Sequence, residues 1–170
     1  MRLETERLLI EPLTHQDLDA LATIEADRLV RRYIDNKTMS RQQVADYIDA
    51  MLRSYEENEY GRFAVKAKAD GTLIGLCGFI DEDYGVDFGY RYARSSWGQG
   101  LATEAGVAVM DYGARILGLP TLVGLVMPEN EASANVLTKL GFNLEGPLTY
   151  MGIPAIKFLK NNYLMDISMR

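Results

Sequence analysis

Between residues 86 and 140 the hydrophobic period of the chain changes three times, and that succession limits the folds open to it. Val86, Phe88, Tyr90 and Tyr92 alternate with Asp87, Gly89, Arg91 and Ala93, the two-residue repeat of a strand with unlike faces. From about Gly98 to Leu117 the spacing becomes helical, and Gly118 and Pro120 end the run. Thr121–Met127 is a continuous apolar strand, and Asn130–Leu140 reads as a helix capped by Asn130 and closed by Gly141. Strand, glycine turn, helix, strand, helix is the order of an α/β domain.

The first half prepares that unit. Arg7–Pro12 is a short apolar strand stopped by proline. Thr14 caps a helix running to about Asp27, with Asp17 in its first turn and Leu18, Leu21 and Ile24 on its inner face. Ser40 and Gln43 form a capping box for a second helix, in which Val44, Tyr47, Ile48, Met51 and Leu52 recur at helical spacing. Arg62–Ala69 and Thr72–Ile80 flank Asp70-Gly71, a hairpin signal, and two last strands are expected at Phe142–Tyr150 and Ala155–Ile167. No repeat or linker interrupts the 170 residues, so residues 1–170 read as one domain.

Composition narrows the function classes. With 48% hydrophobic and 25% charged residues the chain can bury a proper core. A net charge of -6 without a Lys/Arg stripe argues against a nucleic-acid binder. No apolar run approaches the ~20 residues that cross a bilayer, and MRLETERLLI lacks the layout of a signal peptide. The expectation is no membrane association. A single cysteine, Cys77, rules out an internal disulfide framework and favours a cytoplasmic location. One histidine, His15, and that one cysteine support neither a zinc site nor a Cys/His nucleophile pair, so no metal is expected.

The stretch WGQGLATEA (Trp97–Ala105) puts two glycines at the mouth of a long helix, where each costs roughly 1 kcal/mol against alanine. Two readings answer that cost. One is a tight strand-to-helix turn that needs glycine for its geometry. In the other, the first helical N–H groups, which lack intrahelical partners, bond the oxygens of an anion that absent side chains let approach. Gly98 and Gly100 remove side chains there, and Ala102 keeps a third position small. The dinucleotide pattern would need glycine at Thr103, and the nucleotide loop needs Gly-Lys-Ser/Thr; neither is present.

GYRYARSSWGQGLATEA (Gly89–Ala105) resembles the acyl-CoA-binding segment of the GNAT superfamily of N-acetyltransferases, in particular its RimJ/RimL-type branch. PENEASANVLTKLGF (Pro128–Phe142) resembles that branch's second motif, and LETERLLIEPLTHQDLDAL its usual start. The resemblance implies a mixed, mostly antiparallel sheet of about six to seven strands flanked by about four helices. Its central strands, Val86–Arg94 and Thr121–Met127 here, splay to form the acyl-CoA cleft. It also implies acetyl-CoA as cosubstrate, its diphosphate held by the backbone of Gly98, Gln99, Gly100, Leu101, Ala102 and Thr103 behind Trp97. Tyr92 and Arg94 fall where backbone groups pair with pantetheine. Asn130 caps its helix and can meet pantetheine, and Lys139 stands within reach of a coenzyme phosphate.

In the chemistry so implied, a primary amine attacks the thioester directly, which requires a neutral amine, donors for the oxyanion and a proton for the leaving thiolate. Ser133 matches the serine of the second motif and is the expected proton donor. The tyrosine that many relatives carry four positions on is replaced by Leu137. Asp87 is the first candidate base, acting directly or through water, and Asp81, Glu82 and Asp83 form an acidic stretch that can attract a cation. Tyr33, Tyr47, Tyr55 and Tyr60 are placed by the resemblance on the substrate side. The acceptor is a small-molecule amine, polyamine and aminoglycoside included, or a protein N-terminus. Homodimers are common in the family. The rival readings are a non-catalytic CoA-binding sensor or partner-binding module and a purely structural α/β domain.

Overall fold

The computed structural model describes residues 1–162, and the end of the last expected strand, beyond Asn162, lies outside the described residues. Among the described residues eight strands form a single sheet in the order β1-β2-β3-β4-β5-β6-β8-β7. They are β1 (Leu3–Glu4), β2 (Leu8–Glu11), β3 (Arg62–Ala67), β4 (Leu73–Glu82), β5 (Gly85–Tyr92), β6 (Thr121–Val126), β7 (Asn143–Tyr150) and β8 (Ile153–Asn161). Every neighbouring pair is antiparallel except β5 and β6. Among the described residues five α-helices cover the sheet: α1 (Leu18–Glu25), α2 (Arg28–Arg31), α3 (Arg41–Asn58), α4 (Leu101–Arg115) and α5 (Glu131–Lys139).

Most elements sit where their local chemistry puts them. The Ser40/Gln43 capping box closes the start of α3, and Thr14 with Asp17 closes a 3-10 turn (His15–Asp17) that runs into α1. Three findings depart from the sequence reading. The strand count rises to eight through the two-residue β1, too short to show a period. The helix count rises to five through the four-residue α2, started by Asp27, whose side chain accepts from Leu29 N–H. The glycine-started helix begins at Leu101 rather than Gly98, because Gly98 and Gly100 stand at φ +72° and +76°, outside helical backbone.

Side-chain alternation divides the core in two. Phe63, Val65, Cys77, Phe79, Phe88 and Tyr92 face α4 and α5, where Phe88 stacks on Phe142 with centroids 5.7 Å apart. Ala64 and Leu76 face the other way, onto Leu21, Ile24, Val44 and Ile48 of α1 and α3. Helices thus cover both faces of the sheet through β5, while β6 packs one face against α5. Among the described residues no helix is long and apolar enough to cross a membrane.

Candidate active site

The two parallel strands meet at one register point, Asp87 opposite Val123, and have no further paired residues toward their C-terminal ends. Beyond it, Ala93 N–H donates to Ile74 O, so its side of the β5 ladder belongs to β4. By alternation the N–H and C=O of Phe88, Tyr90 and Tyr92 point toward β6 and the gap. Side chains alternate likewise: Tyr90 and Tyr92 lie on the α4–α5 face, Asp87 and Arg91 on the α1–α3 face.

At the mouth of the gap the chain makes a 3-10 turn (Arg94–Ser96), passes Trp97 and the two left-handed glycines, and enters α4. Its side chains fold back on the loop itself. The Trp97 indole N–H donates to Tyr92 O at 2.8 Å, and the Gln99 amide donates to Ser95 O at 2.8 Å. The first closed bond of the helix is Glu104 N–H to Gly100 O, and no side chain caps the helix start. Among the described residues the N–H groups of residues 98–103 have no hydrogen-bond partner. A Cβ at Gly98 would meet nothing within 4 Å, so this end of the helix is open as well as unpaired. Both readings of the glycines hold together: positive φ demands them, and their bareness leaves the amides accessible.

Arg94 does not extend β5. It lies in the 3-10 turn, with its side chain paired to Asp27 at 2.5 Å. Tyr92 is buried in the core, while its carbonyl carries the Trp97 indole. Leu101 is buried under the loop, and Ala102 packs against the same core. Asn130 caps α5 by accepting from Ser133 N–H at 3.2 Å. Lys139 is exposed in the last turn of α5.

Ser133 has a partner that sequence reasoning missed. Its Oγ is 2.9 Å from the Tyr90 hydroxyl, which also donates to Ser133 O at 3.0 Å. Burial pushes the Tyr90 phenol up, out of reach of ionisation at neutral pH, so it serves as a neutral hydrogen-bonding group. The alternation of β5 put Tyr90 on a buried face but could not name its partner, and Tyr92 on the same face has a buried hydroxyl with none among the described residues.

Asp87 is also more engaged than its position suggested. Its carboxylate pairs with the Arg62 guanidinium and accepts from Tyr84 OH at 3.1 Å. Arg62 in turn donates to Gly78 O at 2.6 Å and Asp87 O at 2.9 Å. Gly89, between Asp87 and Arg91, makes the room: a Cβ there would stand 2.4 Å from Arg62 Nη2. Nearby, fully buried Glu25 bridges Arg31, at 2.9 Å, and Arg91, which lies over the Tyr47 ring.

On the α1–α3 face a groove opens between the end of α2, the end of β6 and the β7–β8 hairpin, lined by Tyr33, Ile34, Leu125, Met127, Tyr150 and Ile153. Of the four tyrosines expected on the substrate side, Tyr33 lines it. Tyr47 lies under Arg91, Tyr55 packs on Phe63, and Tyr60 donates to Asp81 at 2.6 Å.

Residues 7–143 match the family model described as the acetyltransferase (GNAT) domain, and the chain belongs to this family of N-acetyltransferases. It is 34% identical over 150 residues to the uncharacterized N-acetyltransferase p20 of Bacillus licheniformis, covering 86% of this chain and 84% of the relative. It is 29% identical over 145 residues to the spermidine N(1)-acetyltransferase of Escherichia coli K12, covering 83% of this chain and 75% of that one. Among solved structures it is similar in fold to RimL, the ribosomal L7/L12 α-N-protein acetyltransferase in complex with coenzyme A. There the TM-score is 0.82 at 16% identity, over 95% of this chain and 98% of the other.

Proposed function

We propose that the protein transfers the acetyl group of acetyl-CoA to a primary amine carried on an apolar frame. The observation that carries the reading is the gap that opens beyond Asp87 and Val123, with six unpaired amides at its mouth and the Ser133 hydroxyl beside it. The amides of residues 98–103 and the positive end of α4 suit a diphosphate. The gap-facing C=O of Phe88, N–H and C=O of Tyr90 and N–H of Tyr92 suit the pantetheine amides, strand against strand. In this reading Asn130 also meets pantetheine, and Lys139 a coenzyme phosphate.

The two candidate proton groups stand on opposite faces of the sheet, Asp87 with Arg62 and Ser133 with Tyr90. The amine attacks the thioester carbon from the groove side and gives its proton, directly or through water, to Asp87. The oxyanion is held by an N–H of β5. When the C–S bond breaks, the thiolate takes its proton from Ser133 Oγ, which Tyr90 orients and which takes a proton back from water.

The groove favours one acceptor class. None of its six named lining side chains is charged. Asp81 and Glu82 accept from Tyr60 and Tyr150 outside that lining, and Asp87 pairs with Arg62. A second ammonium inside the groove would lose hydration against uncharged walls. A monoamine with an apolar or aromatic flank, a protein N-terminus of that kind included, therefore fits better than the polyamine named for the Escherichia coli relative.

Release of free thiol from acetyl-CoA with an amine panel tests this. The expected result is higher kcat/KM for phenethylamine and for peptides with an apolar N-terminal residue than for spermidine. Preference for spermidine overturns the acceptor class. Coenzyme binding without thiol release from any amine leaves the non-catalytic sensor standing in place of the enzyme.

A further inference from the structure

Two segments 97 residues apart are locked together beside the open amides. Arg7 grips Glu104 Oε2 through Nε at 2.7 Å and Nη2 at 2.6 Å, and its Nη1 donates to Gln99 O at 2.9 Å. The other carboxylate oxygen, Glu104 Oε1, accepts from Arg7 N–H at 2.8 Å and from the Thr5 hydroxyl at 2.5 Å. Arg7 Nη2 lies 3.8 Å from where a Gly100 Cβ would be, so the clamp borders the loop. Burial works to raise the Glu104 carboxyl, but the bonds from Thr5 and Arg7 outweigh it and hold it below the ordinary carboxylate range.

The loop has need of such a clamp. A carboxylate in the first turn of a helix competes for the same positive end that attracts an anion. Glycines at 98 and 100 also leave neighbouring peptide planes with little steric preference. In a planar trans peptide, the carbonyl of residue 99 and the N–H of residue 100 point in opposite directions. Fixing Gln99 O on Arg7 therefore aims Gly100 N–H away from Arg7, toward the open side of the loop.

We propose that Arg7 and Glu104 are positioning residues for the coenzyme, orienting the 99–100 peptide plane so that its N–H faces the diphosphate. The proposal rests on the reading of residues 98–103 as the diphosphate site. Arg7 acts here through the geometry of its fork, so its charge alone does not suffice.

Calorimetry with coenzyme A on the wild type, Arg7→Ala, Arg7→Lys and Glu104→Gln tests it, with a thermal melt of each. Arg7→Ala is expected to weaken binding about tenfold. Arg7→Lys, which keeps the charge and loses the fork, is expected to weaken it about fivefold. Glu104→Gln removes a negative charge next to an anion, so charge alone predicts tighter binding, whereas the clamp predicts weaker binding by about fivefold. In the coenzyme-free protein the Gly100 amide cross-peak in the ¹H–¹⁵N spectrum should move in all three variants, which a remote loss of stability would not cause. Affinity for Arg7→Lys within twofold of the wild type, or tighter binding by Glu104→Gln, overturns the proposal and makes Arg7 a point charge. If Arg7→Ala unfolds, the sign of the Glu104→Gln effect decides. A wild type that does not bind coenzyme A sinks the diphosphate reading itself.

Discussion

The two faces of the sheet are built by different means. On the α4–α5 side the site is largely backbone: bare amides at residues 98–103, gap-facing groups of β5, and one hydroxyl pair, Ser133 with Tyr90. On the α1–α3 side it is made of side chains joined across long stretches of sequence, Glu25 to Arg91 and Arg62 to Asp87. A backbone site needs local chain geometry and the absence of side chains, both of which a short motif can encode. A side-chain network needs partners that only folding brings together. The α4–α5 side should therefore fail through blocked space, and the opposite face through lost partners.

The sharpest way to break this contrast is Gly100→Glu. Its Cβ would stand 3.8 Å from Arg7 Nη2, so the new carboxylate competes for Arg7 with Glu104 and Gln99 O and sets a negative charge beside the bare amides; coenzyme affinity should fall about a hundredfold, while the left-handed φ of +76° costs the fold only about 1–2 kcal/mol. Retained affinity in calorimetry would remove the backbone site. Next comes Arg62→Met, which strands the Asp87 carboxylate at 8% exposure and should cost about 3–5 kcal/mol in a denaturant titration. A loss under 1 kcal/mol would show that the α1–α3 network is dispensable.

Smaller effects sharpen the division. Ser133→Ala should lower kcat about a hundredfold with coenzyme affinity little changed, and an equal loss of affinity would make Ser133 a binding residue. Tyr90→Phe keeps the packing and releases Ser133, so kcat should fall only several-fold, read in the same assay. The smallest effect is one of pH. Glu104 is depressed in the fold, so the stabilisation from its pairing is complete above about 4.5 and disappears as pH falls through the lower folded value. The melting-temperature gap between wild type and Arg7→Ala should accordingly be constant at neutral pH and close on acidification below 4.5.

Legibility in the sequence follows the same division. The strand alternation from Val86 to Tyr92, the Asp70-Gly71 hairpin and the Ser40/Gln43 cap could each be read within a few residues, and each stands in the fold. Helix α2 could not, because four residues carry no period and its place depends on Arg31 binding Glu25 and Asp35. Gly89 looked like part of the coenzyme motif, yet the atom that needs its bareness is on Arg62, 27 residues earlier and on another strand.

The sequence by itself determined the order of the longer elements, the alternation that assigns side chains to faces, and the bare turn at residues 98 and 100, since these depend on neighbours along the chain. Tertiary structure alone decided that Tyr90 holds Ser133, that Arg62 holds Asp87, and that Arg7 reaches Glu104 and Gln99. Hydrogen bonds and ion pairs act over about 3 Å, and residues tens of positions apart come within that range only once the sheet has formed.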